Sequence, residues 1–336
     1  MNAVVQNRYG SPEALQLAVM PAPRVGATEV LVAVQASAVT AGDRRLRAGD
    51  FPALSWLPGR LMIGLTGPRN PTPGTIFAGR VIAIGQDVRR FSVGDDVFGV
   101  AMRGAYAEQL VVSEQSPIAR MPAGFGYAEA AALPYGGMTA LVFLREFGAL
   151  QPGQRVCVLG ASGGVGLLAV QLAKQMGAAV TGVCSRSKQA LVRELGAEVV
   201  LDYRTEDFLQ TSQPFDVILD TLGTSSFAEA RAALTAKGRY LSLVADLRLL
   251  LQMPLTALWG GQRALTGVAM GGPKEMEDVA KLAETGALRP VIDGCYPLGH
   301  IAAAHARAES GEAAGAVVVA VAAGALPLRA GAVLSA

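Results

Sequence analysis

Gly160-Ala161-Ser162-Gly163-Gly164-Val165-Gly166 decides how the rest of the chain is read. A short apolar run, Arg155-Val156-Cys157-Val158-Leu159, precedes it. A segment with helical apolar spacing follows, at Val165, Leu168, Ala169, Leu172, Ala173 and Met176. Strand, glycine turn and helix is the context in which such a loop holds a dinucleotide. Glycines let the backbone come close to a pyrophosphate. The helix N-terminus adds unpaired N–H groups and the positive end of a dipole.

Ala179-Val180-Thr181-Gly182-Val183-Cys184 reads as the second strand of the same βαβ unit. An NAD-specific site carries Asp or Glu at the end of that strand, bonded to the ribose 2′-hydroxyl. This chain has Cys184 and then Ser185-Arg186-Ser187-Lys188. A carboxylate there would repel a 2′-phosphate, whereas Arg and Lys attract one and Arg can bond it bidentately. NADPH is therefore expected rather than NADH. The plainer reading of Arg186 and Lys188 is two solvated charges at a helix start.

The chain has 336 residues, long enough for a large core and one or two domains. No run of about 18 apolar residues suggests a membrane span, and the N-terminus lacks the charged and apolar segments of a signal peptide. With 29 basic and 27 acidic residues and no basic stripe, nucleic acid is not an expected partner. Cys157, Cys184 and Cys295 are three scattered cysteines. An odd, scattered set argues for a reducing compartment, here the cytoplasm, and Cys157 reads as a small buried apolar residue.

The first 120 or so residues contain alternating, β-branched runs: Glu29 to Ala36, Thr75 to Gly85, Asp96 to Val100 and Ala107 to Val112. Short strands separated by Gly, Pro and Asp predict a small barrel. From Tyr127 the pattern alternates between helix and strand. Helices are expected at Ala128 to Leu133, Thr139 to Phe147, Lys188 to Leu195 and Phe227 to Leu234. Further strands are expected at Glu198 to Leu201, Phe215 to Asp220, Gly238 to Val244 and Leu265 to Ala269. That alternation predicts an α/β fold with a doubly wound parallel sheet. Helices at Lys274 to Glu284 and His300 to Glu309 follow. Gly315 to Val321 then reads as a strand rejoining the N-terminal barrel, and residues 322–336 as a loose tail.

Several separate stretches together carry a family resemblance: Ala36-Ser37-Ala38-Val39-Thr40-Ala41-Gly42-Asp43, Phe77-Ala78-Gly79-Arg80-Val81, Ala161 to Gly166, Leu195-Gly196-Ala197, Asp202-Tyr203 and Glu309 to Val319. In their order the chain resembles the zinc-independent quinone oxidoreductase branch, ζ-crystallin-like, of the medium-chain dehydrogenase/reductase superfamily. The resemblance implies a Rossmann sheet (residues 123–267) inserted in a β-rich GroES-like catalytic domain (1–122 and 268–321). It also implies a cleft between the two and a homodimer. Zinc needs Cys and His ligands in close array. Thr40 stands where the first catalytic Cys would be expected, and Thr75-Ile76-Phe77 stands where a His is missing. His300 and His305, five apart on one expected helix, read as partly exposed helix residues.

The resemblance places Ser162, Gly163, Gly164 and Val165 at the pyrophosphate and Ser185, Arg186 and Lys188 at the 2′-phosphate, with Tyr203 beside it. Thr139 is expected toward the nicotinamide, and Val244 beside the coenzyme. Thr40 and Asp43 fill a motif that is usually Asn-Pro-x-Asp; they are the candidate catalytic pair. Asp43 reads equally as a turn or helix-cap acceptor. The implied reaction is hydride transfer from NADPH to a small hydrophobic quinone or α,β-unsaturated carbonyl. The developing oxyanion needs electrostatic support, for which Arg44, Arg45, Arg47 and Tyr135 come into question.

Other readings remain at this stage. An alcohol dehydrogenase or enoyl reductase of the same family shares these residues, and so does a non-catalytic NADPH-binding protein. Gly160-x-Ser162-x-Gly164 also fits the nucleophile elbow of α/β-hydrolases, with Asp246 and His300 later in the chain.

Overall fold

The computed structural model describes residues 1–51, 56–258, 260–269 and 271–322. The expected tail therefore lies outside the described residues, save Ala322.

The N-terminal part is built on β1 (Asn2–Gln6), β2 (Leu15–Val19), β3 (Glu29–Val39), β4 (Ile76–Ile84), β5 (Asp96–Val100), β6 (Gln109–Ser113) and β7 (Ile118–Arg120). β1 and β2 form a separate antiparallel ribbon. β3 is the spine of the larger sheet and pairs with both β4 and β6. Its first half alternates, with Val30, Val32 and Val34 inward, as a strand with one face on a core should. They pack with Val4, Phe77, Tyr106, Val317 and Val319. β14 (Ile292–Pro297) and β15 (Ala316–Ala320) complete this sheet. β15 pairs antiparallel with β3, so the C-terminal stretch does rejoin the N-terminal strands.

The second sheet comprises β8 (Arg155–Leu159), β9 (Ala179–Cys184), β10 (Val199–Asp202), β11 (Phe215–Asp220), β12 (Leu234–Ser242) and β13 (Arg263–Thr266). All its pairings are parallel, in the order β10-β9-β8-β11-β12-β13. Val156 and Val158 pack on one face of β8, Cys157 and Leu159 on the other. Burial on both faces explains why this strand reads as an unbroken apolar run. The strand order reverses between β8 and β11, and ligands bind outside the carboxyl ends of strands at such a point.

The helices are α1 (Ala41–Ala48), α2 (Trp56–Ile63), α3 (Tyr127–Ala131), α4 (Pro134–Leu141), α5 (Gly164–Gln175), α6 (Gln189–Glu194), α7 (Phe227–Ala230), α8 (Leu247–Leu258), α9 (Pro273–Glu284) and α10 (Ile301–Glu309). Several differ from the sequence reading. Arg44 to Ala48, for which the sequence suggests no element, belong to helix α1. The helix expected at Thr139 starts earlier, at Pro134, and gives way to a π-helical turn at Val142–Phe147. The strand expected from Gly238 starts at Leu234.

Candidate functional site

The glycine turn leaves β8 at the switch point and feeds the first turn of α5. Gly160 has φ of +74°, a conformation that favours glycine. A Cβ on Gly166 would lie 2.1 Å from the Gly160 carbonyl oxygen, so the turn and helix approach too closely for any side chain. The turn forms one wall of a cleft of about 500 Å³. Thr40, Ala41 and Arg44 of α1 face it, as do Tyr135 and Gly136 of α4. Thr221 and Leu222, just after β11, line it too. The remaining wall is a strap, Glu309 to Ala316, from the other sheet. Gly315 N–H donates to the Ser162 carbonyl at 3.0 Å, so the strap is fastened to the turn. First-turn N–H groups of α5 have no intrahelical acceptor, and the glycines beside them carry no Cβ. The cleft fits a dinucleotide pyrophosphate at Gly163, Gly164 and Val165.

The residues expected at the ribose lie along the carboxyl edge of β9 and β10. Asp202 pairs with Cys184, so Tyr203 leaves the sheet beside Ser185 and Arg186. Tyr203 is exposed and stacks against the Arg204 guanidinium. Ser185 and Ser187 hydroxyls lie 3.4 Å apart, and Arg186 is exposed. Lys188 is turned elsewhere: its Nζ donates to the Ala313 carbonyl at 3.0 Å and, more weakly, to Gly311 at 3.4 Å. Burial holds the Lys188 ammonium below its ordinary pKa, against the pull of Asp293. Lys188 thus ties β9 to the strap.

At the other end of the cleft, Thr40 caps α1. Its Oγ1 accepts the Asp43 N–H at 3.0 Å, and its own N–H donates to Asp43 Oδ2 at 3.0 Å. This reciprocal arrangement is a capping box. The Thr40 hydroxyl also lies 2.7 Å from Asp43 Oδ2, and the Thr75 hydroxyl donates to Oδ1 at 2.9 Å. Asp43 is buried, which raises its pKa; the hydrogen bonds from Thr40 and Thr75 oppose that. Tyr135 is pushed above its ordinary pKa, mainly by burial. Thr139 lies in the interior on α4, where Tyr135 and Gly136 face the cleft. Val244 follows β12 and packs over Gly223.

Arg47 and His305 are corrections to the sequence reading. Arg47 is buried and paired with Glu309 at 2.8 Å, tying α1 to α10. His305 is 1% exposed, with its ring edge against Tyr106. Burial lowers its pKa to about 3, with Arg47 adding to the effect. A neutral imidazole forms no ion pair with Glu309, whose carboxylate is 3.7 Å from Nδ1. Because the folded state holds this ring neutral, its contribution is present above pH 6.5 and is lost as pH falls toward 3. At pH 4.5 the loss is about 2–3 kcal/mol. The measurement is thermal unfolding at pH 7 and pH 4.5, where His305→Gln should show a clearly shallower acid decline than the wild type. Equal declines would contradict a neutral buried ring.

His305 lies against Tyr106, and no histidine bonds Ser162 among the described residues, so a hydrolase elbow has no base. Nor do three His, Cys, Asp or Glu side chains converge as metal ligands among the described residues. Where the resemblance would put Cys and His ligands, Thr40 and the stretch at Thr75 offer only hydroxyls. These residues do not fit a zinc ion.

A parallel sheet of this order, with a glycine turn at its switch point opening on a two-sided cleft, defines a dinucleotide-dependent enzyme. Residues 26–146 match the family described as alcohol dehydrogenase GroES-like domain, and residues 195–319 that described as zinc-binding dehydrogenase. The chain is 33% identical to the mitochondrial NAD(P)H oxidoreductase RTN4IP1 of Bos taurus, over 95% of this chain and 89% of the relative. It is 29% identical to a chloroplast envelope quinone oxidoreductase homolog of Arabidopsis thaliana, over 95% of this chain and 98% of that one. Among solved structures, a quinone oxidoreductase from Coxiella burnetii superposes with a TM-score of 0.84 at 28% identity, covering 96% of this chain and 99% of that one. The chain belongs to the medium-chain dehydrogenase/reductase superfamily, in its quinone oxidoreductase branch. It is an NAD(P)H-dependent oxidoreductase.

Proposed function

We propose that the enzyme uses NADPH to reduce a small hydrophobic quinone or α,β-unsaturated carbonyl. One observation carries this reading: the glycine turn and the Thr40 hydroxyl line one cleft, and β9, next to β8, runs out into Ser185 and Arg186 with no carboxylate at its end. In this reading residues 123–267 hold the coenzyme, and residues 1–122 with 268–321 bear the substrate. Gly163, Gly164 and Val165 bind the pyrophosphate through backbone N–H groups. Ser162 takes part through its backbone, as its carbonyl already holds the strap. Ser185, Arg186 and Tyr203 hold the 2′-phosphate, and Lys188 steadies the strap beside it. Thr139 supports the nicotinamide end from within α4, and Val244 shapes the cleft through Gly223.

The reduced nicotinamide supplies a hydride when bound. The protein's part is to bring the substrate carbonyl to Thr40, keep water from the cleft and stabilise the developing oxyanion with a hydroxyl donor. Tyr135 shares that wall. Apolar side chains of α2 and α8, including Trp56, Leu61, Met62, Leu251 and Leu258, are exposed and suit a hydrophobic substrate or a second subunit. β13 ends its sheet; in our reading two copies associate there as a homodimer. Three free cysteines fit a reducing compartment such as the cytoplasm. No helix among the described residues is long and apolar enough to cross a membrane.

The test is titration with both coenzymes, followed by turnover of 1,2-naphthoquinone and a simple enone. NADPH should bind about 10–100-fold more tightly than NADH, the equivalent of one charge-assisted contact. Equal affinities, or no turnover of either substrate, would refute the proposal.

A further inference from the structure

α1 is a partition between two cavities. Thr40, Ala41 and Arg44 face the coenzyme cleft. Asp43, just over half a turn on from Ala41, faces a second cavity of about 180 Å³ on the opposite side. That cavity has Asp43 and Thr75 at its inner end and Asn70, Met102 and Arg103 at its rim. All three rim residues are exposed, so the cavity opens to water. The hydrogen bond between Thr40 Oγ1 and Asp43 Oδ2, 2.7 Å long, links a side chain of the first space to one of the second.

We propose that Asp43 stores the proton that completes reduction, that the Thr40 hydroxyl passes it to the substrate, and that the second cavity resupplies it from bulk water. This rests on the reductase reading above and adds the proton's route. Thr40 Oγ1 already accepts the Asp43 N–H. When Asp43 is protonated, its Oδ2–H donates to Oγ1, and the Thr40 proton turns into the cleft. Hydride arriving at the β-carbon of an enone moves the π electrons onto the carbonyl oxygen as an enolate. The Thr40 proton then bonds that oxygen, the Asp43 proton moves to Thr40, and an enol leaves to become the ketone. Asp43 is left as a carboxylate and takes a proton from water in the second cavity. The sum is one hydride and one proton added to the enone, with one proton drawn from solvent.

The surroundings support storage of a proton. Among the described residues no cation pairs with Asp43. Arg47, one turn further along α1, is engaged by Glu309. The ionisable groups facing Asp43 from neighbouring elements are Tyr106, just before β6, and Tyr135 of α4. Both are phenols held neutral by burial. The buried Tyr106 hydroxyl faces the Asp43 carboxyl as a neutral donor, the smallest of the influences that oppose burial there.

The test has two arms. The first is infrared spectroscopy of the coenzyme-free protein at neutral pH. A protonated-carboxyl stretching band is expected and should vanish in Asp43→Asn; its absence from the wild type overturns the proposal. The second compares an enone with a quinone. A hydroquinone anion can depart without an acid, whereas an enolate needs one. Asp43→Asn should therefore lower the ratio of enone to quinone turnover by about 100-fold, the usual worth of a general acid. A parallel loss of both activities would mean a purely structural role and overturn it. Should that variant fail to fold, Asn70→Trp plugs the rim instead. Enone turnover should then fall several-fold with a larger solvent isotope effect, and an unchanged rate and isotope effect overturn the resupply route. If wild-type enzyme oxidises NADPH with neither substrate, the reductase reading fails while the infrared arm still judges Asp43.

Discussion

Asp220→Ala should destabilise the protein by about 3–5 kcal/mol and loosen the coenzyme cleft with it. Asp220 ends β11 and is fully buried. Its carboxyl oxygens accept N–H groups from Leu222 at 3.0 Å, Gly223 at 2.7 Å and Ser225 at 2.9 Å. The Tyr240 hydroxyl adds a fourth bond at 3.0 Å. Alanine would orphan the three loop N–H groups, each at about 1–3 kcal/mol if water cannot reach them. The whole is less than the sum, because the loop can relax outward. Relaxation has its own consequence: Thr221 and Leu222 line the cleft, so coenzyme affinity should fall as stability falls. Asp220→Asn keeps an acceptor for Leu222 and Gly223 but presents an NH₂ group to Ser225 N–H, and should lie between. Denaturant unfolding of the three proteins in parallel gives the order. A loss under about 1 kcal/mol in Asp220→Ala would show that this network does not hold the loop.

How far the sequence discloses such a site depends on the range of the interactions. The glycine turn and its flanking strands are legible because each signal lies within a few residues: an apolar strand, a turn only glycine can make, a helical stripe. The signal for α1 is equally local, yet the sequence suggests no more there than a turn or a helix cap at Asp43. Its signal is Thr40-x-x-Asp43, a capping box with Asp in place of the commoner Glu, followed by arginines rather than an apolar stripe. α8 carries Pro254 inside it, a residue that argues against a helix interior. Lys188 and His305 were illegible for another reason. Ser-Arg-x-Lys gives two cations at a strand end, but the carbonyl that takes Lys188 lies 125 residues away. A histidine in an alanine-rich helix gives no local sign that its ring will be sealed beneath Tyr106. The second cavity is likewise formed by segments from Gln6 to Arg103 that only the fold assembles.

The contrast between Arg186 and Lys188 yields the other large effect. Arg186→Asp should weaken NADPH by about 2–3 kcal/mol, roughly 30–150-fold, because it removes a charge-assisted contact and sets a carboxylate against a phosphate dianion. NADH, which has only a ribose hydroxyl there, should lose little, and the new carboxylate can accept a bond from it. Lys188→Met should behave differently. Its Nζ holds the Ala313 carbonyl, and the strap it steadies walls the same cleft as the glycine turn, where either coenzyme would place its pyrophosphate. Affinity for NADPH and NADH should therefore drop together. Calorimetric titration of each variant with each coenzyme separates a residue that reads the phosphate from one that holds the cleft closed. Unchanged NADPH affinity in Arg186→Asp would remove this arginine from the coenzyme site. A selective loss of NADPH in Lys188→Met would mean that the lysine leaves the strap for the phosphate when coenzyme binds.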